Sequence, residues 1–150
     1  MNTINKPYFI VVSALTFVLP LISAAIAQDL SAPGLGKWFI FYAVGCRLFL
    51  AGIRQVTKPA FTAKEIFHIN DPQSYPVVRE LGFANLCFGI IGIVSLFVPF
   101  WRIVSAIASG LYYGLAGLQH GLKGSASINE RFALVTDVFI FLALGAYVLL

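Results

Sequence analysis

The sequence predicts an all-α integral membrane protein: a bundle of five transmembrane helices with a short interfacial helix in its one long loop. Three observations carry that prediction. Of 150 residues, 59% are hydrophobic and only 11% charged, against roughly 45–50% and about 25% in soluble domains. The apolar residues fall in runs close to the ~20 residues that cross a ~30 Å hydrocarbon layer as a helix. These runs do not alternate apolar with polar residues, as the strands of a membrane barrel must, and lipid leaves helices as the other way to satisfy the backbone. Low charge excludes disorder, and two cysteines exclude a disulfide scaffold.

The expected spans cover residues 8–27, 37–56, 77–98, 101–122 and 131–150 of a single transmembrane domain. The first also resembles a signal peptide, with Lys6 at its start and Ala25-Ile26-Ala27 as an A-x-A site. Its apolar run from Tyr8 to Ala24 exceeds the usual 7–15 residues and contains Pro20, so a retained helix is expected; four spans would remain after cleavage. Between the third and fourth spans, Pro99-Phe100-Trp101-Arg102 reads as a tight hairpin: proline stops a helix, tryptophan suits the interface, arginine marks water. In the 57–76 loop, the capping box Thr62-Ala63-Lys64-Glu65, followed by Ile66, Phe67 and Ile69, predicts a short amphipathic helix that Asn70-Asp71-Pro72 ends.

Seven lysines and arginines (residues 6, 54, 58, 64, 79, 123 and 131) fall on the side of the N-terminus, and two, Lys37 and Arg102, on the other. That asymmetry predicts a cytoplasmic N-terminus and an outer C-terminus. It also accounts for the net charge of +4. No loop joins a basic run to interleaved aromatics, so nucleic acid is not an expected partner. The expected partners are membrane lipids and another membrane protein or a second copy of the chain.

Where lipid removes the hydrophobic drive for helices to meet, small residues mark the contacts. The fourth span carries a stripe of Ala106, Gly110, Gly114, Gly117 and Gly121, and the third carries Gly82, Asn85, Gly89 and Gly92. Because the hairpin already joins these two spans, they are expected to pack on each other along their glycines.

Ionisable groups cost ~2.5–3.5 kcal/mol each at the centre of a spanning helix, so each needs a partner or a purpose. At 1.5 Å per residue, Arg47 lies ~15 Å inside the end of its span and Asp137 ~9–10 Å inside its own. Asn85 has a comparable depth, Tyr113 is deeper, and Arg54, Glu80 and His120 are shallower, all in the same half. Arg47 is expected to reach Asp137 or Glu80, with Asn85 adding a hydrogen bond, and Arg54 or Arg79 to pair with Glu80. The cluster Arg47, Arg54, Glu80, Asn85, Tyr113, His120 and Asp137 supports three functional readings. The leading one is a non-enzymatic accessory protein in which the cluster locks the bundle. A second is a binder or carrier of a polar small molecule or lipid headgroup at a cavity lined by the cluster. A third is a membrane enzyme using Glu80 or His120 as acid or base.

No metal and no cofactor are expected. His68 and His120 are the only histidines, Cys46 and Cys87 have no C-x-x-C spacing, and no hydrolase, P-loop or dinucleotide motif occurs. Inverted repeats and broken midplane helices, the marks of many secondary transporters, are likewise missing from the pattern.

The stretch from Lys37 to Gly52, the stretch Phe61-Thr62-Ala63-Lys64-Glu65-Ile66-Phe67 and above all Arg79-Glu80-Leu81-Gly82-Phe83-Ala84-Asn85 resemble a family of small bacterial inner-membrane proteins of unknown function. The likeness covers residues 35–145. It implies an uncharacterised inner-membrane protein of about this size, in which Arg47, Glu80, Asn85 and His120 belong to the family pattern. In architecture alone the chain is distantly similar to DoxX-like four-helix membrane proteins, which are tied to respiratory or redox partners.

Overall fold

A computed structural model describes residues 5–124 and 127–150, and all regular structure among them is helical. Helix α1 (Lys6–Ile26) starts on Asn5, whose side chain accepts from the Tyr8 amide, with Pro7 in the first turn where its missing N–H costs nothing. Further on, Pro20 has no N–H for the Thr16 carbonyl, and the helix widens into a π turn over Ala14–Val18. Helix α2 (Ala32–Thr57) is capped by Ser31, which accepts from the Gly34 amide at 3.2 Å. In the turn before it, Ser31 and then Lys37 hydrogen-bond Asp29 and hold its carboxyl below the usual carboxylate range. A second π stretch, Ile40–Cys46, ends at Arg47.

The short helix α3, residues 59–66, begins at Pro59 and continues into a π turn, Thr62–Ile66. This corrects the expected start. Thr62 is inside the helix rather than capping it, because a proline suited to a first turn stands three residues earlier, and both Thr62 and Ala63 are buried. Helix α4 (Tyr75–Val94) follows a 3₁₀ turn capped by Asp71. Helix α5 (Trp101–Lys123) ends at Gly124, whose φ of 72° is the left-handed conformation that glycine adopts without strain. Helix α6 (Ile128–Leu149) is capped by Ser127, accepting from the Glu130 amide at 3.1 Å.

Among the described residues, four helices, α1, α2, α4 with the turn ahead of it, and α6, are long and apolar enough to cross a membrane. Helix α5 is 23 residues long but stands outside that set. Its glycines, serines, tyrosines and the Gln119-His120 pair take places that aliphatic residues fill in the others.

The glycine stripes do not face each other as expected. Those of α4 meet α2: a Cβ on Gly92 would stand 2.6 Å from the Gly45 amide nitrogen, and one on Gly89 would stand 2.5 Å from that of Phe49. Gly52 and Gly82 meet in the same interface, backbone against backbone. The stripe of α5 instead receives side chains of α6, with Leu144 over Gly110, Phe141 over Gly114 and Val138 over Gly117, while Gly121 has nothing within 4 Å. A glycine leaves a notch, and a bulky side chain or another bare backbone fills it; being joined by a hairpin decides neither. Helices α4 and α5 meet through the Phe88 and Tyr112 rings, 5.3 Å apart. Their turn is closed by Arg102, which donates to the Ser95 and Leu96 carbonyls.

Helix α1 lies against the others through Ser23–Tyr42 (3.0 Å), Phe17–Phe139 and the Phe9–Phe132 contact. Ile40, Val44, Leu48, Ile140 and Leu144 form the shared apolar core.

Candidate functional site

Four helices bring polar residues to two levels. The deep level holds Thr16 of α1, Arg47 of α2, Tyr113 of α5, and Thr136 and Asp137 of α6. The outer level holds Tyr8, Arg54, His120 and Glu130 of the same four helices. On α2, α5 and α6 the two levels are seven residues apart (47 and 54, 113 and 120, 130 and 137). Seven residues are two helical turns, about 10 Å, which puts both members on one face.

At the deep level everything converges on Arg47. Its guanidinium donates to Asp137 at 2.7 Å, to Thr136 at 3.1 Å and to Thr16 at 3.4 Å. Tyr113 presents its ring face 5.1 Å from the guanidinium carbon while its hydroxyl donates to the Ala43 carbonyl at 2.8 Å. Arg47 is 9% exposed and Asp137 6%. The π stretches of α1 and α2 touch this level: one contains Thr16, and the other delivers Arg47. The wider turn rotates the residues that follow it, which is why such turns recur where a side chain must be aimed.

The outer level differs. Glu130, 1% exposed, lies between the only two histidines, 3.2 Å from His68 Nε2 and 3.3 Å from His120 Nδ1. His68 sits just beyond α3 in a left-handed backbone conformation (φ 57°), so this contact fastens α3 to α6. Arg54 lies 3.5 Å above the Phe61 ring and has no carboxylate partner among the described residues. Asn85 donates to Gln55 at 2.7 Å, while its carbonyl oxygen is buried with no hydrogen-bond partner.

Between the levels lies a cavity of about 480 Å³. Arg47, Arg54, Asn85, Tyr113, His120 and Asp137 all line it, and α3 contributes Phe61, Thr62 and Ile66 to its wall. Glu80 does not line it. That residue is exposed on the opposite side of α4, so neither Arg47 nor Arg54 reaches it, and the expected pairing of Glu80 with arginine is corrected. Asn85 bonds Gln55 rather than Arg47. The difference is rotational: depth can be counted along a helix, but the face a residue presents depends on which neighbour the helix packs against.

Thr16, Thr136, Gln55 and His68 were not among the expected site residues. Glu130 is legible in the sequence, shallower than Asp137 and on the same face of its span; nothing in the sequence marks Thr16. No group of three histidine, cysteine or acidic residues is arranged to hold a metal ion among the described residues.

Residues 6–150 match the sequence pattern of DUF6790, described as a family of unknown function. No curated protein and no solved structure matches the chain.

Proposed function

Since the chain belongs to DUF6790, its role has to be read from its site, and we propose that it is a non-enzymatic membrane protein that binds a small polar or amphipathic molecule in the cavity. The observation that carries this is the pairing of a filled level with an unfilled one. Arg47 is held by Asp137, two threonines and the Tyr113 ring, which is the lock expected of an accessory protein. A lock alone would be packed shut; instead about 480 Å³ adjoins it, within the 300–1,000 Å³ range of small-molecule sites. Arg54 and Asn85 border that space with hydrogen-bonding capacity that no described residue uses.

An enzymatic role for Glu80 finds less support, because Glu80 lies outside the cavity. Five spans are part of the proposal. At 1.5 Å per residue, α5 is about 34 Å long, enough to cross, and it lies along α6 through its glycine notches. Retention of α1 is supported by its gift of Tyr8 and Thr16 to the site. The excess of lysine and arginine at the Arg54 end supports a cytoplasmic mouth in a bacterial inner membrane.

The test is native mass spectrometry of the protein extracted in mild detergent. A bound small molecule is expected on the wild type and not on Ala116→Phe, which fills the cavity. An adduct that persists when the cavity is filled, or none on either protein, would refute the proposal.

A further inference from the structure

We propose that the ligand is a single-chain amphiphile whose headgroup carries a phosphate and a hydroxyl, with Arg54 and Lys123 taking the phosphate and Asn85 the hydroxyl. This rests on the binding function proposed above and names its ligand class.

Three features at the outer level define the headgroup. Arg54 is stacked on Phe61, and stacking occupies the face of a guanidinium while leaving its edge N–H groups free to donate. No described carboxylate neutralises it, so the cavity offers a cation without a counter-ion. Lys123, also in the cavity wall, adds a second cation whose one hydrogen bond goes to the Phe67 carbonyl. The two acidic residues in the wall, Asp137 and Glu130, are engaged by Arg47 and by the histidines. Two cations in the wall of one cavity favour a phosphate over a singly charged carboxylate.

The third feature is Asn85, 3% exposed and facing the cavity with one amide atom unpartnered. Its amide nitrogen donates to Gln55 and its carbonyl oxygen is the atom left over, an acceptor to which a ligand hydroxyl can donate. Gln55 follows Arg54 directly in α2, which places Asn85 at the depth of the phosphate site.

The acyl chain follows from the walls. Val11, Leu50 and Leu115 line the cavity and are also 45%, 49% and 67% exposed, so the apolar lining continues onto the outer surface of the bundle. A chain attached to the headgroup can leave sideways between helices into lipid. The same phosphate and hydroxyl also occur on a soluble glycerol phosphate, which would reach the site from water.

The experiment is isothermal titration of the protein in phosphatidylcholine nanodiscs with four probes: monoacylglycerol phosphate, dodecyl phosphate, monoacylglycerol phosphocholine and glycerol phosphate. Monoacylglycerol phosphate is expected to bind tightest. Losing the hydroxyl should weaken binding about threefold to tenfold, and capping the phosphate with choline about tenfold or more. Arg54→Gln should abolish the preference for phosphate over phosphocholine, while Arg54→Lys keeps part of it. Glycerol phosphate binding as tightly as the acylated probe would support the headgroup chemistry and assign its source to water. Equal binding of phosphate and phosphocholine amphiphiles, or an unchanged preference in Arg54→Gln, overturns the ligand class while leaving a binding protein. No binding by any probe, together with no adduct on the wild type in mass spectrometry, overturns the binding function itself.

Discussion

Removing Arg47 and Asp137 one at a time should harm the protein more than removing both. The pair is joined at 2.7 Å with 9% of each side chain exposed, and breaking a buried pair from one side costs roughly 3–5 kcal/mol because the other charge remains. The two single losses differ in kind. Asp137→Leu leaves Arg47 with Thr16, Thr136 and the Tyr113 ring. Arg47→Leu leaves a carboxylate whose one described hydrogen bond has gone. Its remaining escape is to take up a proton, which for a carboxyl of ordinary acidity costs about 4 kcal/mol at pH 7, at 1.36 kcal/mol per pH unit. Arg47→Leu is therefore expected to lose about 4 kcal/mol, Asp137→Leu about 3, and the double leucine variant no more than either. For a chain of this size, each kcal/mol moves the midpoint by about 2–4 °C. Thermal unfolding in detergent, followed by circular dichroism, should thus show single-variant drops on the order of 10 °C and a double variant at or above the better single. Losses that simply add would refute the coupling.

The glycine contacts give a paired test. Gly89→Ala must part the α2 and α4 backbones and should cost about 1–3 kcal/mol, whereas Gly121→Ala, with nothing within 4 Å, should be neutral or up to about 1 kcal/mol stabilising; equal midpoints would contradict the interface. His68→Ala should speed amide exchange across residues 59–67 without lowering the global midpoint, since it removes the contact of α3 with Glu130; unchanged exchange would show that the buried face and the Lys123–Phe67 bond suffice to hold α3. A reporter fused after Leu150 should be active only if it works outside the cytoplasm, and activity of a cytoplasmic reporter there would reverse the proposed orientation.

How far the sequence reaches can be judged from Arg47 and Glu80. Counting residues from the ends of apolar runs finds depth, so Arg47, Asp137, Tyr113 and Asn85 were expected at neighbouring levels. Rotation is another matter. Glu80 has the right depth and the wrong face, because the side of α4 that turns inward is set by Gly82 and Gly89 seating on α2. The glycine stripes themselves were legible, but a stripe names a surface and not its partner. Thr16 and Thr136 were hidden for a different reason: a lone threonine in an apolar helix reads as tolerated, and only the arginine beside it shows why it is there. The cavity could not be read at all, since free space is a property of how six helices fail to fill a volume.

The bond between Arg47 and Asp137 spans 90 residues of chain. Ribosomes add about 5–20 residues per second, so during synthesis Arg47 waits roughly 5–18 s before its counter-charge exists. For that interval the unfinished protein holds an unmatched guanidinium among its first helices, with Thr16 already made and the Tyr113 ring following before Asp137 does. Helix α6 thus supplies the charge that α2 lacks until then, and once it arrives the guanidinium is matched.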